Sequence, residues 1–313
     1  MKSESTPIKV IDRKSRHSVD NLDELNVAGQ LLPTDFYIVG AESWTAVPGG
    51  IAHPDRPIVN VDHHADLPSM RRRVSSTNLA LERLGAGLMP DPASDAVVVN
   101  HMDCDSVLAS GVLSGLLAPD PDYGVAAIAA DHTGADNPIA DLLQGLDAHW
   151  SRNGRPAVSS QGLDYFFDCL DRFERGAPLD QFAQDALSKR QESRTHAERL
   201  VANGCFVTEE GVRFGVLDEP LEGELLLPVL SDALLVATAN RHRQHPERWQ
   251  IKLRLGLAAA EGHSLKALRV EEFDPAYGGR WNAGSNNRGH GTDLPPEHYQ
   301  RCLVDAVRRE WLS

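Results

Sequence analysis

Two stretches of the chain concentrate side chains that hold divalent metals. Val97-Val98-Val99-Asn100 leads into His101-Met102-Asp103-Cys104-Asp105, and Pro57-Ile58-Val59-Asn60-Val61 leads into Asp62-His63-His64. Each begins with β-branched residues, as a strand does, and ends in imidazoles and carboxylates. Alternate residues of an extended segment share a face, so His101, Asp103 and Asp105 can converge on one or two cations. Mixed nitrogen and oxygen donors suit Mn²⁺, Zn²⁺ or Fe²⁺ better than Ca²⁺. A third group, Asp131-His132 with Asp136 nearby, follows residues 123–130, which read as another strand. Three such groups point to a binuclear metal site, with Asp131 a candidate to bridge two ions. An acid after a strand can also simply cap the next helix, and that reading stays open for Asp103 and Asp105.

Such groups need a scaffold that collects them. Strands ending in polar residues and handing over to helices are the pattern of an open α/β sheet, whose strand C-termini gather ligands. Residues 36–40 and 57–61 read as strands, and Ser75 or Ser76 as the cap of a helix running to about Leu84, ended by Gly85. The small-residue run 107–117 reads as the helix after His101–Asp105. Arg71-Arg72-Arg73, between the second group and its helix, could grip phosphate oxygens.

Composition shifts along the chain suggest four parts. Residues 1–34 are a polar arm, with a short helix near residues 19–28; 35–150 form a metal-binding α/β domain. A linker follows at 151–203, helical and broken at Gly176-Ala177-Pro178, and 204–313 form a smaller α/β domain. In the last part, residues 205–208, 212–217, 234–239, 249–257 and 270–273 read as strands. It also carries Gly278-Gly279-Arg280-Trp281-Asn282-Ala283-Gly284 and, a few residues on, Arg288, His290 and Gly291. Five glycines among residues 278–291 let backbone amides come close to a ligand, and the arginines suit an anion.

The totals exclude several classes. With 313 residues there is room for one large domain or two smaller ones. No apolar run approaches the length of a membrane helix and no signal-peptide core opens the chain, so a cytoplasmic location with no membrane partner is expected. The four cysteines form no CxxC pair, which argues against a zinc ribbon or a disulfide framework. Cys104 is expected to pack as a small residue. A net charge of −14 disfavours long nucleic acid as a partner but permits a small phosphorylated substrate. A homodimer is compatible with the sequence.

Together these motifs resemble the DHH phosphoesterase superfamily. Asp62-His63-His64 followed by Ser75-Ser76-Thr77 looks like the name-giving motif and its trailing segment. His101-Met102-Asp103-Cys104-Asp105 is similar to the metal-binding His/Asp-x-Asp motif. Gly278-Gly279-Arg280-Trp281-Asn282-Ala283-Gly284 is similar to the Gly-Gly-His-x-x-Ala-Gly signature of the substrate domain, with Arg280 in the histidine's place. The first two motifs occur in reverse order, as a circular permutation would leave them. The resemblance implies a mostly parallel sheet flanked by helices, a DHHA1-like second domain, and two Mn²⁺ ions, with Mg²⁺ or Co²⁺ as substitutes. It implies Asp62, His63, His101, Asp103, Asp105 and Asp131 as ligands, Asp62 and His64 as catalytic, and His64 as proton donor. Gly278, Gly279, Arg280, Asn282, Arg288 and His290 would bind substrate. The implied reaction is hydrolysis of a phosphoester or phosphoanhydride in a nucleotide, dinucleotide or pyrophosphate. Two rivals are an arginase-type binuclear Mn²⁺ hydrolase, which the arginines disfavour, and a non-catalytic sensor of a phosphorylated ligand.

Overall fold

A computed structural model describes residues 5–6, 8–10, 37–38, 51–52, 57–58, 61, 63, 72–92, 97–99, 102–156 and 159–313. The fold is α/β. The described residues group into two compact units. One holds those up to Arg190, apart from Arg72 and His132–Ala135; the other holds these exceptions and Gln191–Ser313.

In the first unit, β1 (Ile8–Val10), β2 (Tyr37–Ile38) and β5 (Val97–Val99) form a parallel sheet in the order β1-β5-β2, while β3 (Ile51–Ala52) and β4 (Pro57–Ile58) pair separately. β1 lies inside the segment expected to be a polar arm: Ile-Lys-Val is long enough to pair with the three valines of β5. Val97 and Val99, which share one face of this central strand, are fully buried.

Helix α1 (Ser76–Gly85) starts where expected. Ser75 Oγ accepts from Asn78 N at 3.1 Å and Asn78 Oδ1 accepts from Ser75 N at 3.1 Å, a reciprocal cap. Every residue of α2 (Cys104–Ser114) is buried, which its small and apolar side chains permit. Asp103 caps it by accepting from Ser106 N at 2.9 Å, and Gly115 ends it at φ 76°.

Residues 123–130, expected as a strand, instead continue helix α3 (Pro121–Ile128) into a wider turn at Ala129–Thr133. Asp120 caps α3, Pro121 sits in its first turn, and four alanines favour helix over sheet. Asp131 is therefore delivered by a widened helical turn instead of a strand end. Helices α4 (Pro138–Arg152) and α5 (Ser160–Glu174) pack their apolar faces on α2, burying Leu142, Leu143, Leu146, Phe166 and Leu170. Helix α6 (Gln181–Ala202) brings Arg190 Nε to within 3.2 Å of Asp141 Oδ1, with both side chains essentially inaccessible. Asp141→Ala would take a carboxylate away from a buried guanidinium. A loss of about 3 kcal/mol or more is expected, read as the shift in urea midpoint.

The second unit holds a mixed sheet in the order β10-β11-β9-β8-β7-β6, made of β6 (Phe206–Glu209), β7 (Val212–Val216), β8 (Leu235–Arg241), β9 (Trp249–Leu255), β10 (Gly278–Gly279) and β11 (Ala283–Ser285). β7 and β8 are parallel and the other neighbours antiparallel. One face buries Phe214, Ala237, Ile251 and Leu253 against Tyr299, Leu303 and Val307 of α7 (Pro296–Trp311). Residues 270–273, expected as a strand, form a short 3₁₀ turn at Val270–Glu272, entered by Arg269 at φ 48°. Among the described residues, no helix is long and apolar enough to cross a membrane.

Candidate metal centre

His63 and Asp105 are buried to about 1% exposure and Asp131 to 9%. His63 stands between the two carboxylates, with Nδ1 3.1 Å from Asp105 Oδ2 and Nε2 3.0 Å from Asp131 Oδ2. The ring is held from behind as well, where Ser76 Oγ lies 3.2 Å from Nδ1.

Asp105 faces the start of α1. Its Oδ2 accepts from Ser76 N at 2.8 Å; its Oδ1 accepts from Thr77 N at 2.8 Å and from Thr77 Oγ1 at 2.7 Å. With His63, these contacts occupy the roughly four lone-pair positions of a carboxylate. The amides at a helix start carry partial positive charge, so an anion is stable there. Asp105, expected as a ligand, thus stands behind His63, while Asp103, also expected as a ligand, uses Oδ1 to cap α2. The Ser-Ser-Thr segment does more than begin a helix: its amides seat the carboxylate that orients His63. A cap signal was readable in the sequence, but the distant residue it would seat was not.

Two donors about 3 Å apart match adjacent ligands of one ion with bonds near 2.1 Å. His63 Nε2 and Asp131 Oδ2 have that separation, and Asp105 lies behind Nδ1, where a carboxylate that orients a ligating histidine would stand. Cys104 is fully buried, and burial, with Asp105 and Asp103 nearby, pushes its thiol well up, so it packs as a neutral side chain. Asp62, His64, Arg71 and His101 lie outside the described residues; Arg72 and Arg73 are exposed.

Without a metal, burial pulls the His63 imidazole down, but hydrogen bonds to Asp105 and Asp131 outweigh it and carry the pKa up to about 10. Asp105 is correspondingly lowered: burial raises it, and His63 more than compensates. A raised histidine stabilises the fold fully below pH about 6.5, and that contribution is lost as pH rises through about 10. A metal on Nε2 must displace a proton. Uptake at pH 7.5 should release about one proton and affinity should rise up to about tenfold per pH unit, measured by calorimetry in buffers of different ionisation enthalpy.

In the glycine-rich stretch, Arg280 N donates to Ala283 O at 2.8 Å and closes the β10–β11 hairpin. A Cβ on Gly279 would collide with the backbone of Ala283 and Gly284, so this glycine serves strand contact before any ligand. His290 is exposed, at φ 71°, with Nδ1 3.2 Å from Nε2 of His245, a residue not singled out from the sequence. Gly278 is exposed, Arg280 is partly buried, and the Arg288 side chain lies outside the described residues. Asn282 is buried, with Nδ2 3.2 Å from His132 Nδ1.

No family model matches the chain, and no curated protein does. Among solved structures, it is similar to a pGpG-specific phosphodiesterase, PggH, from Vibrio cholerae at 12% identity and TM-score 0.43, over 73% of this chain and 88% of that one. It is also similar to an exopolyphosphatase-related protein from Bacteroides fragilis at 12% identity and TM-score 0.36, over 91% of this chain and 74% of that one.

Proposed function

We propose that this protein is a metal-dependent hydrolase of a phosphoester or phosphoanhydride bond in a small anionic substrate, with a DHH-type centre of two Mn²⁺ ions. The observation that supports it is the His63–Asp131 pair, 3.0 Å apart and backed by Asp105. His63 and Asp131 would hold one ion, with Asp62, His101 and the remaining oxygen of Asp103 as the other ligands. Bound ions would polarise the phosphoryl oxygens and acidify a water. Asp105 fixes the His63 ring and keeps its lone pair directed at the ion. His64 gives a proton to the leaving oxygen. Arg280, Arg288 and His290, with the amides of Gly278 and Gly279, bind phosphate oxygens, and the chain's net charge of −14 favours a small substrate over a long polyanion.

The test is turnover by chelator-stripped protein, with and without Mn²⁺, of pyrophosphate, a linear dinucleotide, a cyclic dinucleotide, a nucleoside 3′,5′-bisphosphate and an aryl phosphodiester. Mn²⁺-restored cleavage that disappears in His63→Ala is the expected result. Mn²⁺ binding with no cleavage of any compound would favour the ligand sensor, and cleavage indifferent to chelator would reject the metal reading.

A further inference from the structure

We infer that His245 and His290 form a metal site apart from the one at His63, a surface pair of imidazoles that takes a divalent cation of the Zn²⁺, Ni²⁺ or Cu²⁺ kind. Both residues belong to the second unit, and the inference does not rest on the reading of His63 and Asp131. His245 lies in the turn between β8 and β9, and His290 in the loop after β11. His245 Nε2 and His290 Nδ1 are 3.2 Å apart, with the ring planes at 88°. Two imidazole nitrogens on one tetrahedral ion, at bonds of about 2.05 Å, stand about 3.3 Å apart. The pair thus already has the spacing of adjacent ligands.

The two segments are fastened to each other. Trp249 N donates to Thr292 O and Thr292 N to Trp249 O, each at 2.9 Å, and Arg248 Nη2 donates to Asp293 Oδ2 at 2.8 Å. A third histidine adds to this. His242, 3% exposed, accepts at Nδ1 from the amides of Gln244 at 3.2 Å and His245 at 3.1 Å. Its hydrogen is therefore on Nε2, which donates to Asn287 O at 3.2 Å. His242 so ties the turn that carries His245 to the loop that carries His290, and the spacing of the pair is set by the backbone.

Ligation needs a lone pair on both facing nitrogens, so the hydrogen shared between the rings must move to an outer nitrogen. On His245 that nitrogen is Nδ1, 3.7 Å from Glu247 Oε1, and a carboxylate there favours the tautomer whose lone pair is on Nε2. On His290 it is Nε2, which keeps an N–H for an anion while Nδ1 binds the ion, in keeping with the phosphate contact proposed for this residue. The His245 side chain is 37% exposed and His290 is exposed, so both lone pairs can turn onto one ion and water can fill its other positions. The arginines of the same turn oppose a cation only weakly. Arg248 is paired with Asp293, Arg241 lies over the Trp249 ring 3.8 Å from its centroid, and Arg243 is matched in charge by Glu247. Imidazole donors favour Cu²⁺, Ni²⁺ and Zn²⁺; Mg²⁺ and Ca²⁺ prefer oxygen, and Mn²⁺ stands lowest in the affinity order.

A Zn²⁺ titration followed by long-range ¹H–¹⁵N correlation on protein labelled at histidine reads each ring separately. His245→Gln and His290→Asn assign the two rings, asparagine being chosen at 290 because it tolerates φ 71°. The expected result is that Zn²⁺ moves the signals of His245 Nε2 and His290 Nδ1 together and leaves those of His242 in place, while Mg²⁺ moves none of them. The Zn²⁺ concentration that half-shifts His290 should rise about tenfold or more in His245→Gln, as should that for His245 in His290→Asn, since even an outer partner of a ligating histidine is worth about 10–100-fold. Both substitutions are at the surface, and an otherwise unchanged amide spectrum shows that the fold is kept. Saturating Zn²⁺ that leaves either ring unmoved overturns the inference, as does a response of one ring that is the same without the other. The two rings are observed individually and no turnover is measured, so the result holds whether or not the centre at His63 binds metal.

Discussion

Asp131→Asn should reduce Mn²⁺-dependent turnover by about 10³-fold or more, at saturating substrate, while the protein stays folded. The substitution keeps the shape of the side chain and removes only its charge. Asp131 Oδ2 stands 3.0 Å from His63 Nε2, so it provides the anionic half of the pair that would hold the ion. A metal contributes several kcal/mol of transition-state stabilisation, and each 1.36 kcal/mol is a factor of ten in rate. The fold should survive because Asp131 is carried by a turn between two intact helices and the apolar packing on α2 does not involve its carboxylate. Steady-state kinetics alongside circular dichroism separates the two effects. Turnover within tenfold of the natural protein would remove Asp131 from the centre.

Asp105→Ala should have a different signature, losing stability and metal affinity together. Four hydrogen-bonded contacts meet on this buried carboxylate: the Ser76 and Thr77 amides, the Thr77 hydroxyl and His63 Nδ1. Removing it takes an acceptor from the Ser76 and Thr77 amides and leaves His63 buried with one carboxylate instead of two. The expected cost is about 3–5 kcal/mol in urea unfolding, in the range for breaking a buried charge pair. Mn²⁺ affinity should fall about 10–100-fold, as on losing a carboxylate that orients a ligating histidine. Asp105→Asn, which keeps an acceptor for one amide, should recover part of the stability. A large loss of affinity with unchanged stability would instead make Asp105 a direct ligand.

The sequence made parts of this legible and concealed others for physical reasons. Val97–Val99 reads as a buried strand because three adjacent β-branched residues have few other uses, and Ser75 announces α1 because Asn78 three residues on can return its hydrogen bond. The strands of the second unit show through alternation, as in Trp249–Leu255, where Ile251 and Leu253 face the core and Lys252 and Arg254 do not. Residues 123–130 misled because Val and Ile there suggested a strand, whereas the Asp120–Pro121 start and the alanines favour a helix. Asp103 and Asp105 are two residues apart in one motif, yet one caps α2 and the other is seated by α1, a helix almost thirty residues earlier. Spacing along a strand anticipates a shared face only while the chain remains extended, and here a helix begins at Cys104. The pairing of His132 with Asn282 spans 150 residues and has no local signal.

The most direct test of the centre is pulsed electron paramagnetic resonance on chelator-stripped protein loaded with substoichiometric Mn²⁺. Nitrogen modulation from a directly bound imidazole is predicted in the natural protein and reduced in His63→Ala. A spectrum carrying only water-proton couplings, or one unchanged by His63→Ala, would contradict the assignment of His63 and Asp131 as the core of a metal centre.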